Sequence, residues 1–189
     1  AMAMNVVFNS DEELLSPTSR VIIEKEARQA DTVCVFEPAR PGGEYVVRRK
    51  GVAKYQLKVN GRAAHSGAQP EHGRSAILEL AHKIIALHAL TDFRMGTTVN
   101  VGITRGGERF NVVAPEAYAE IDLRVPDLEE AKRAEDQIRT IVQTATVPDT
   151  FAELKGGLIF PPMEQTPKAK RLFEALQEAG RGLGLDLHG

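Results

Sequence analysis

Two stretches, "VAKYQLKVNG" (residues 52–61) and "GRSAILELAHKIIALHAL" (residues 73–90), decide the fold. The first alternates apolar and polar residues, which predicts a strand with one face exposed to solvent. The second has apolar residues at the three- and four-residue spacing of a long amphipathic helix. They are Ile77, Leu80, Ala81, Ile84 and Leu87. A half-exposed strand followed by such a helix indicates an antiparallel sheet covered by helices on one face.

The same pattern of alternating strands and amphipathic helices continues downstream. "TTVNVGITRGG" (97–107) and "AYAEIDLRV" (117–125) alternate as two further strands. "DLEEAKRAEDQIRTIVQTA" (127–145) predicts a second helix, with Asp127 as its N-cap, and a final strand is expected near residues 150–154. The order β-α-β-β-α-β is typical of a ferredoxin-like split sandwich, so an α+β fold is predicted for residues 50–160.

The two flanking segments have a different pattern of apolar residues. Continuous apolar runs at residues 4–9 and 32–36, separated by a predicted helix at 18–30, indicate a β-α-β unit of an α/β domain covered on both faces. A proline- and glycine-rich break follows it, and another helix begins at Pro167. We therefore predict a sandwich inserted into an incomplete α/β domain, with the flanking parts at residues 1–49 and 161–189.

Composition excludes several classes of function. The 189 residues are 42% hydrophobic and carry a formal charge of -2, so no basic surface for nucleic acid is expected. Neither a membrane-spanning run nor a signal segment is present in the chain, which leaves a cytoplasmic or a periplasmic location open. The single Cys34, inside an apolar run, is expected to be a buried thiol.

Carboxylates follow both predicted N-terminal strands. Asp11, Glu12 and Glu13 come after the first strand and Glu37 after the second. Functional groups of open α/β sheets gather at the carboxyl ends of strands, and carboxylates brought together there repel unless a cation lies between them. For an isolated acidic triplet a solvated turn is the better explanation, but the position of these carboxylates after two strands favours a divalent metal that activates water.

His65 stands in a loop of small residues, "AAHSGA" (63–68). Few bulky side chains would shield its imidazole, so this histidine is a candidate for ligand contact, whereas His72, His82 and His88 are expected to be solvated.

Six segments together resemble the M20 family of zinc metallopeptidases, particularly its glutamate carboxypeptidase branch. They are "FNSDEE", "VFEPAR", "VNGRAAHSGAQPEHGRSAI", "TTVNVGITRGGERFNVVAPEA", "IDLRV" and "GGLIFPPM". The resemblance implies an α/β catalytic domain that holds two zinc ions, interrupted by a ferredoxin-like lid that also forms the dimer interface. It agrees with the inserted sandwich predicted from the pattern.

The resemblance also implies roles in catalysis. Glu12 is similar to the general base that deprotonates the attacking water, and Glu13 and Glu37 are similar to zinc ligands. His65 resembles the lid histidine that stabilises the oxyanion in the active site of the partner subunit.

Two lid residues, Asn100 and Arg124, resemble those that hold the substrate's terminal carboxylate, for which a guanidinium is well suited. The residues alone favour plainer roles, with Arg124 as a surface arginine paired with Asp122 or Glu120 and Asn100 as an ordinary edge polar residue.

Other ligands of the family's metal site, a His-x-Asp motif and a later aspartate upstream and a histidine downstream, have no counterpart here. The resemblance thus implies a fragment of a zinc-dependent hydrolase that cleaves a peptide or N-acyl bond next to a free carboxylate, with the chain alone inactive. A non-catalytic dimerisation module and a deacylase of N-acylated amino acids, of the acetylornithine or succinyl-diaminopimelate type, remain alternatives. The expected partners are a small peptide or N-acyl amino acid and a second copy of the chain.

Overall fold

A four-stranded antiparallel sheet organises most of the chain. The computed structural model describes residues 3–14, 16–37 and 44–189, which fall into two units, Ala1–Gly42 and Gly43–Gly189. The sheet belongs to the larger unit and has the spatial order β2-β3-β1-β4. Its strands are β1 (Gly51–Asn60), β2 (Thr98–Gly106), β3 (Glu116–Val125) and β4 (Phe151–Phe160). The last strand is longer than the predicted residues 150–154, because it pairs with β1 from Val52 to Asn60.

Helices α2 (Ala76–His88) and α3 (Leu128–Gln143) pack on one face of this sheet. Each helix begins at a side-chain cap: Ser75 Oγ accepts from the Leu78 N–H (3.1 Å), and Asp127 Oδ1 accepts from the Glu130 N–H (2.8 Å). Alternate residues of β1 and β3 point toward the helices and form the core with Leu80, Leu87 and Ile138. The mixed α/β class and the ferredoxin-like strand order predicted from the sequence are confirmed.

The buried stripe of α2 differs from the predicted one. Ile77 and Ala81 are exposed, whereas Glu79 and Lys83 are buried. A charged pair can take core positions when each partner neutralises the other and both find hydrogen bonds, as these two do. The buried face of α2 is therefore rotated about the helix axis relative to the predicted face.

The chain enters and leaves the sheet at neighbouring positions. Arg49 and Met163 exchange two backbone hydrogen bonds of 2.9 Å, just before β1 and just after β4. Helix α4 (Pro167–Gly182) follows, and its Phe173 ring lies 6.2 Å from that of Tyr45. The segments on both sides of the sandwich thus contact each other within the larger unit.

Gly61, at the end of β1, is required by a close approach of two backbones. A Cβ at this position would lie 2.1 Å from the carbonyl oxygen of Arg74, so no other residue fits without moving the chain. The close approach is the start of the loop that carries His65.

The smaller unit contains a short 3-10 turn (Glu12–Leu14) and helix α1 (Arg20–Ala27). The predicted strands at residues 4–9 and 32–36 are not formed, and Phe8 and Phe36 are almost fully exposed. An extended apolar segment becomes a strand only when neighbours satisfy its backbone groups, and among the described residues these two segments have no ladder partner. Cys34 is consequently exposed, so the prediction of a buried thiol is wrong.

Candidate functional site

Asn100 and Arg124 lie on the same face of the sheet, opposite the helices. Residues 121–125 alternate, so Ile121, Leu123 and Val125 are buried while Asp122 and Arg124 face outward. Asn100 of β2 is directly opposite Asp122 in the register of the two strands. The strand pattern therefore brings an amide, a carboxylate and a guanidinium together on one surface.

Asp122 orients the Arg124 side chain. Arg124 Nε donates to both carboxylate oxygens of Asp122, at 3.1 and 2.9 Å. The terminal amino groups of Arg124 have no hydrogen-bond partner within residues 44–189. Glu120, the other pairing considered from the sequence, binds Lys54 instead, at 2.7 Å. The ion pair expected of a surface arginine is thus present. It leaves exposed the edge of the guanidinium with the two terminal amino groups, which is the edge suited to bidentate binding of a carboxylate.

The His65 imidazole is held by its own loop. The backbone N–H groups of Gly67 and Ala68 both donate to His65 Nδ1, each at 3.1 Å. A ring nitrogen that accepts hydrogen bonds carries no proton, so the proton of the neutral ring is on Nε2. His65 is exposed, and its Nε2–H is available as a donor.

The loop itself is fastened to the segment that follows β2. Ser66 N donates to the Asn111 carbonyl (3.0 Å), and Val113 N donates to the Ala64 carbonyl (2.9 Å). The small residues around His65 allow this tight turn, because the peptide groups of Gly67 and Ala68 must approach the ring closely. The structure thus places His65 on a fixed loop beside the sheet.

The acidic residues of the smaller unit divide into two kinds. Glu12 and Glu13 lie side by side in the 3-10 turn and are exposed, and Glu37 is exposed in an irregular segment. Asp11 instead accepts hydrogen bonds from Ser19 Oγ (2.5 Å), Thr18 Oγ1 (2.7 Å) and the backbone N–H of Thr18 (2.8 Å). The hydrogen bonds from the Ser19 hydroxyl, the Thr18 hydroxyl and the Thr18 backbone N–H hold the pKa of Asp11 well below its usual range. Asp11 therefore fastens the start of α1.

Two features, a metal-binding group of side chains and a membrane-spanning helix, are absent from the part of the chain that the structure describes. No group of three or more His, Cys, Asp or Glu side chains is placed to hold a metal ion. The residues present therefore do not form by themselves the zinc centre that the resemblance implies. Nor is any helix in residues 3–14, 16–37 or 44–189 long and apolar enough to cross a membrane.

The sequence patterns do not reveal two features of the candidate site. From the sequence, Asp122 is only one possible ion-pair partner of Arg124. Residues two apart on a strand lie on the same face, and this spacing could have indicated that Asp122 orients Arg124. The tautomer of His65 depends on loop hydrogen bonds that no sequence pattern reveals. In contrast, alternation does predict the two strands that carry Asn100 and Arg124, and the structure pairs them.

Comparison with known proteins identifies the family. The family model described as a peptidase dimerisation domain, of the M20 peptidases, matches residues 47–150. Carboxypeptidase G2 of Pseudomonas sp. (strain RS-16) is 28% identical over 97% of this chain, which spans 45% of that protein. One subunit of the p-aminobenzoyl-glutamate hydrolase of Escherichia coli (strain K12) is 39% identical over 38% of this chain and 16% of that protein.

A solved structure supports the same conclusion for the fold. Aminopeptidase PepT from Bacillus cereus ATCC 10987 matches 77% of this chain and 39% of its own, with a TM-score of 0.65 and 24% identity. The chain spans less than half the length of each of these proteins. The resemblance stated from the sequence motifs is confirmed, and the chain belongs to the M20 peptidase family through the dimerisation domain at residues 47–150.

Proposed function

We propose that this chain is part of an M20 hydrolase that cleaves a peptide or N-acyl bond next to a free carboxylate. The observation that carries the proposal is the Asn100–Asp122–Arg124 arrangement on the exposed face of the sheet. Its guanidinium edge is directed by Asp122 and unoccupied by other described residues. Relatives named as a carboxypeptidase and as a p-aminobenzoyl-glutamate hydrolase act on substrates of this kind, which supports the same substrate class here.

Arg124 and Asn100 are the proposed binding groups for the substrate carboxylate. A guanidinium whose Nε is already fixed loses little rotamer freedom on binding, so its Nη groups are preorganised for a bidentate contact. The Asn100 amide can add a hydrogen bond from the neighbouring strand. Both residues fix where the scissile bond lies relative to the catalytic domain.

His65 is the proposed donor to the oxyanion. A neutral imidazole with its proton on Nε2 can donate that N–H to the negative charge that develops on the oxyanion. In the proposed homodimer this donor serves the active site of the partner subunit.

Three carboxylates complete the proposal. Glu12 is the proposed general base, and Glu13 and Glu37 are the carboxylates that this chain offers to a centre of two zinc ions. Because the described residues form no metal site by themselves, the remaining ligands come from outside this chain in this proposal. The 189-residue chain alone is therefore expected to be inactive.

The test of the function uses the full-length protein that contains this chain. We expect hydrolysis of an N-acyl amino acid or dipeptide with a free carboxylate, and loss of that hydrolysis when the same carboxylate is amidated. Arg124→Lys should raise KM for the free acid about 10-fold or more, since one charge-assisted hydrogen bond contributes about 1.5–3 kcal/mol, and should not affect the amide. Equal rates on the free acid and the amide would refute the proposed recognition.

A non-catalytic dimerisation module is the second candidate, favoured by the match of residues 47–150 to a dimerisation domain. It predicts a full-length protein that dimerises without zinc and hydrolyses neither peptides nor N-acyl amino acids. A deacylase of N-acylated amino acids would use the same residues, and a panel of acyl and peptidyl substrates separates it from a carboxypeptidase.

A further inference from the structure

A turn at Arg109–Val112 carries the most exposed large apolar side chain in the part of the chain that the structure describes. The Val112 N–H donates to the Arg109 carbonyl (3.2 Å), so Phe110 is the first of the two central residues of this turn. Its side chain is 102% exposed. Glycine and small polar residues are the usual occupants of such positions. A phenylalanine here offers a contact surface of about 150–250 Å² that the fold itself does not use.

The Phe110 turn is fastened to the loop that carries His65. His65 and Val112 are directly opposed in an isolated antiparallel bridge, and the two backbone hydrogen bonds between the loop and the turn flank this pair. Opposed residues of this kind lie about 4.5 Å apart between Cα atoms, so the Cα atoms of His65 and Phe110 are at most about 12 Å apart. Both side chains can therefore reach the same small ligand.

The space beside the imidazole is open. A Cβ at Gly67 would have only two atoms of the described chain within 4 Å, namely His65 Cε1 (3.7 Å) and Nδ1 (3.8 Å). No other side chain in that part of the chain fills this position next to the ring. A ligand that contacts the imidazole can thus extend over the loop without displacing protein atoms.

From this arrangement we propose that Phe110 is a specificity residue, whose ring contacts the acyl group of the substrate while His65 contacts the oxyanion. The inference rests on the proposed function, in which Arg124 and Asn100 hold the carboxylate of the amine half. The acyl group is bonded directly to the carbonyl carbon at His65, so it is the half of the substrate that lies nearest to the Phe110 turn. An apolar ring gains most from contact with an apolar partner, and the preferred substrates are therefore amino acids with a large apolar N-acyl group.

Kinetics of the full-length protein that contains this chain test the contact. The probes are the N-acetyl and N-hexanoyl derivatives of one amino acid with a free carboxylate. The wild type should show the higher kcat/KM for the hexanoyl substrate, and Phe110→Ala should lower the hexanoyl-to-acetyl ratio of kcat/KM about 10-fold. Phe110→Leu should retain most of the ratio, because leucine keeps an apolar side chain at this position.

The matched control is Phe93→Ala, which removes a phenylalanine that is 84% exposed in the segment between α2 and β2. It should leave the ratio unchanged. Because the Phe110 side chain is fully exposed, its replacement should also leave the urea-unfolding curve unchanged. An unchanged ratio in Phe110→Ala, or an equal loss on both substrates, overturns the inference and leaves the proposed function standing. A wild-type protein that hydrolyses neither substrate refutes both.

Mixed dimers test where the Phe110 ring acts. In the proposed homodimer His65 serves the active site of the partner subunit, so Phe110 beside it should do the same. A heterodimer of a Phe110→Ala chain and a Glu12→Gln chain, isolated through two affinity tags, keeps one intact general base, and the Glu12→Gln chain supplies the phenylalanine to that site. This heterodimer should show the wild-type ratio. With both substitutions in one chain and a wild-type partner, the ratio should be that of Phe110→Ala; the opposite pattern overturns the inference.

Discussion

Helix α2 carries a buried ion pair, and its loss should strongly lower the free energy of unfolding of the larger unit. The Glu79 and Lys83 side chains are 1% and 3% exposed, and Lys83 Nζ lies 2.9 Å from Glu79 Oε1. The same Nζ donates to the carbonyls of Ile141, Val142 and Thr144, at 2.9–3.0 Å. Lys83 thus satisfies the last carbonyls of α3, which no residue of that helix can reach.

Glu79 holds the next part of the chain. Its Oε2 accepts from the backbone N–H groups of Thr146 (2.9 Å) and Val147 (2.6 Å). Together the two side chains join α2 to the end of α3 and to the loop before β4. We name this set of contacts the Glu79–Lys83 clamp.

Lys83→Met is the perturbation that isolates the clamp. Methionine nearly preserves the length of the side chain, so the packing changes little, but three carbonyls and one buried carboxylate lose their partner. Removing one member of a buried pair typically costs about 3–5 kcal/mol. For a chain of this size that corresponds to a decrease in Tm of about 6–20 °C.

Urea unfolding followed by far-UV circular dichroism measures the effect. Lys132→Met, at an exposed position of α3, is the matched control and should stay within about 0.5 kcal/mol of the wild type. If Lys83→Met also stayed within about 1 kcal/mol, the clamp would not be a stabilising feature of the fold.

The clamp also predicts an acid dependence. Burial acts to raise the pKa of Glu79, but hydrogen bonds from Lys83 and from the Val147 and Thr146 N–H groups outweigh it, so the pKa lies below its ordinary value of 4.5. A group with a depressed pKa in the folded state contributes stability above the unfolded value and loses it as the pH falls through the folded one. The unfolding free energy should therefore decrease below about pH 4.5, and less so in Glu79→Gln.

Three further outcomes are expected. Asp11→Ala should abolish the helical Cα chemical shifts of α1 in NMR spectra at pH 7, whereas the matched Asp31→Ala, at an exposed position, should leave them unchanged. Thr97→Val should lower the urea-unfolding free energy by about 1–3 kcal/mol, because the buried Glu130 carboxylate loses the Thr97 hydroxyl at 2.5 Å; an unchanged value would contradict that role. Cys34 should react with a thiol reagent in the native protein as fast as in urea, and slow native labelling would contradict its exposure.

The sandwich was predictable because its signals are local. Alternation in residues 52–61 and 117–125 predicts two strands, and the helical spacing near residues 76–88 predicts a helix. All three elements are present in the structure, although the buried face of α2 differs from the predicted one. The same alternation predicts the two strands that carry Asn100 and Arg124, whereas only the resemblance implies a role for these residues. The register of β2 and β3 places both of them on one face. These features need no knowledge of distant parts of the chain.

The errors arose where distant partners decide the outcome. Residues 4–9 and 32–36 have strand-forming composition, but a strand also requires neighbours, and composition does not supply them. Glu79 and Lys83 have the composition of a solvated helix face, and only the position of the α3 carbonyls makes them core residues. The His65 tautomer likewise depends on where two peptide groups of its loop point.

The backbone bridge between Arg49 and Met163 has a practical consequence. Two residues that exchange a pair of hydrogen bonds lie about 5.5 Å apart between Cα atoms, so the sandwich begins and ends at almost one point. A module with adjoining ends can be grafted into a surface turn of an unrelated host without spreading the host's own backbone. The segment from Arg49 to Met163 can therefore be inserted into another protein as one unit, together with its edge strand β2 and the loop that carries His65.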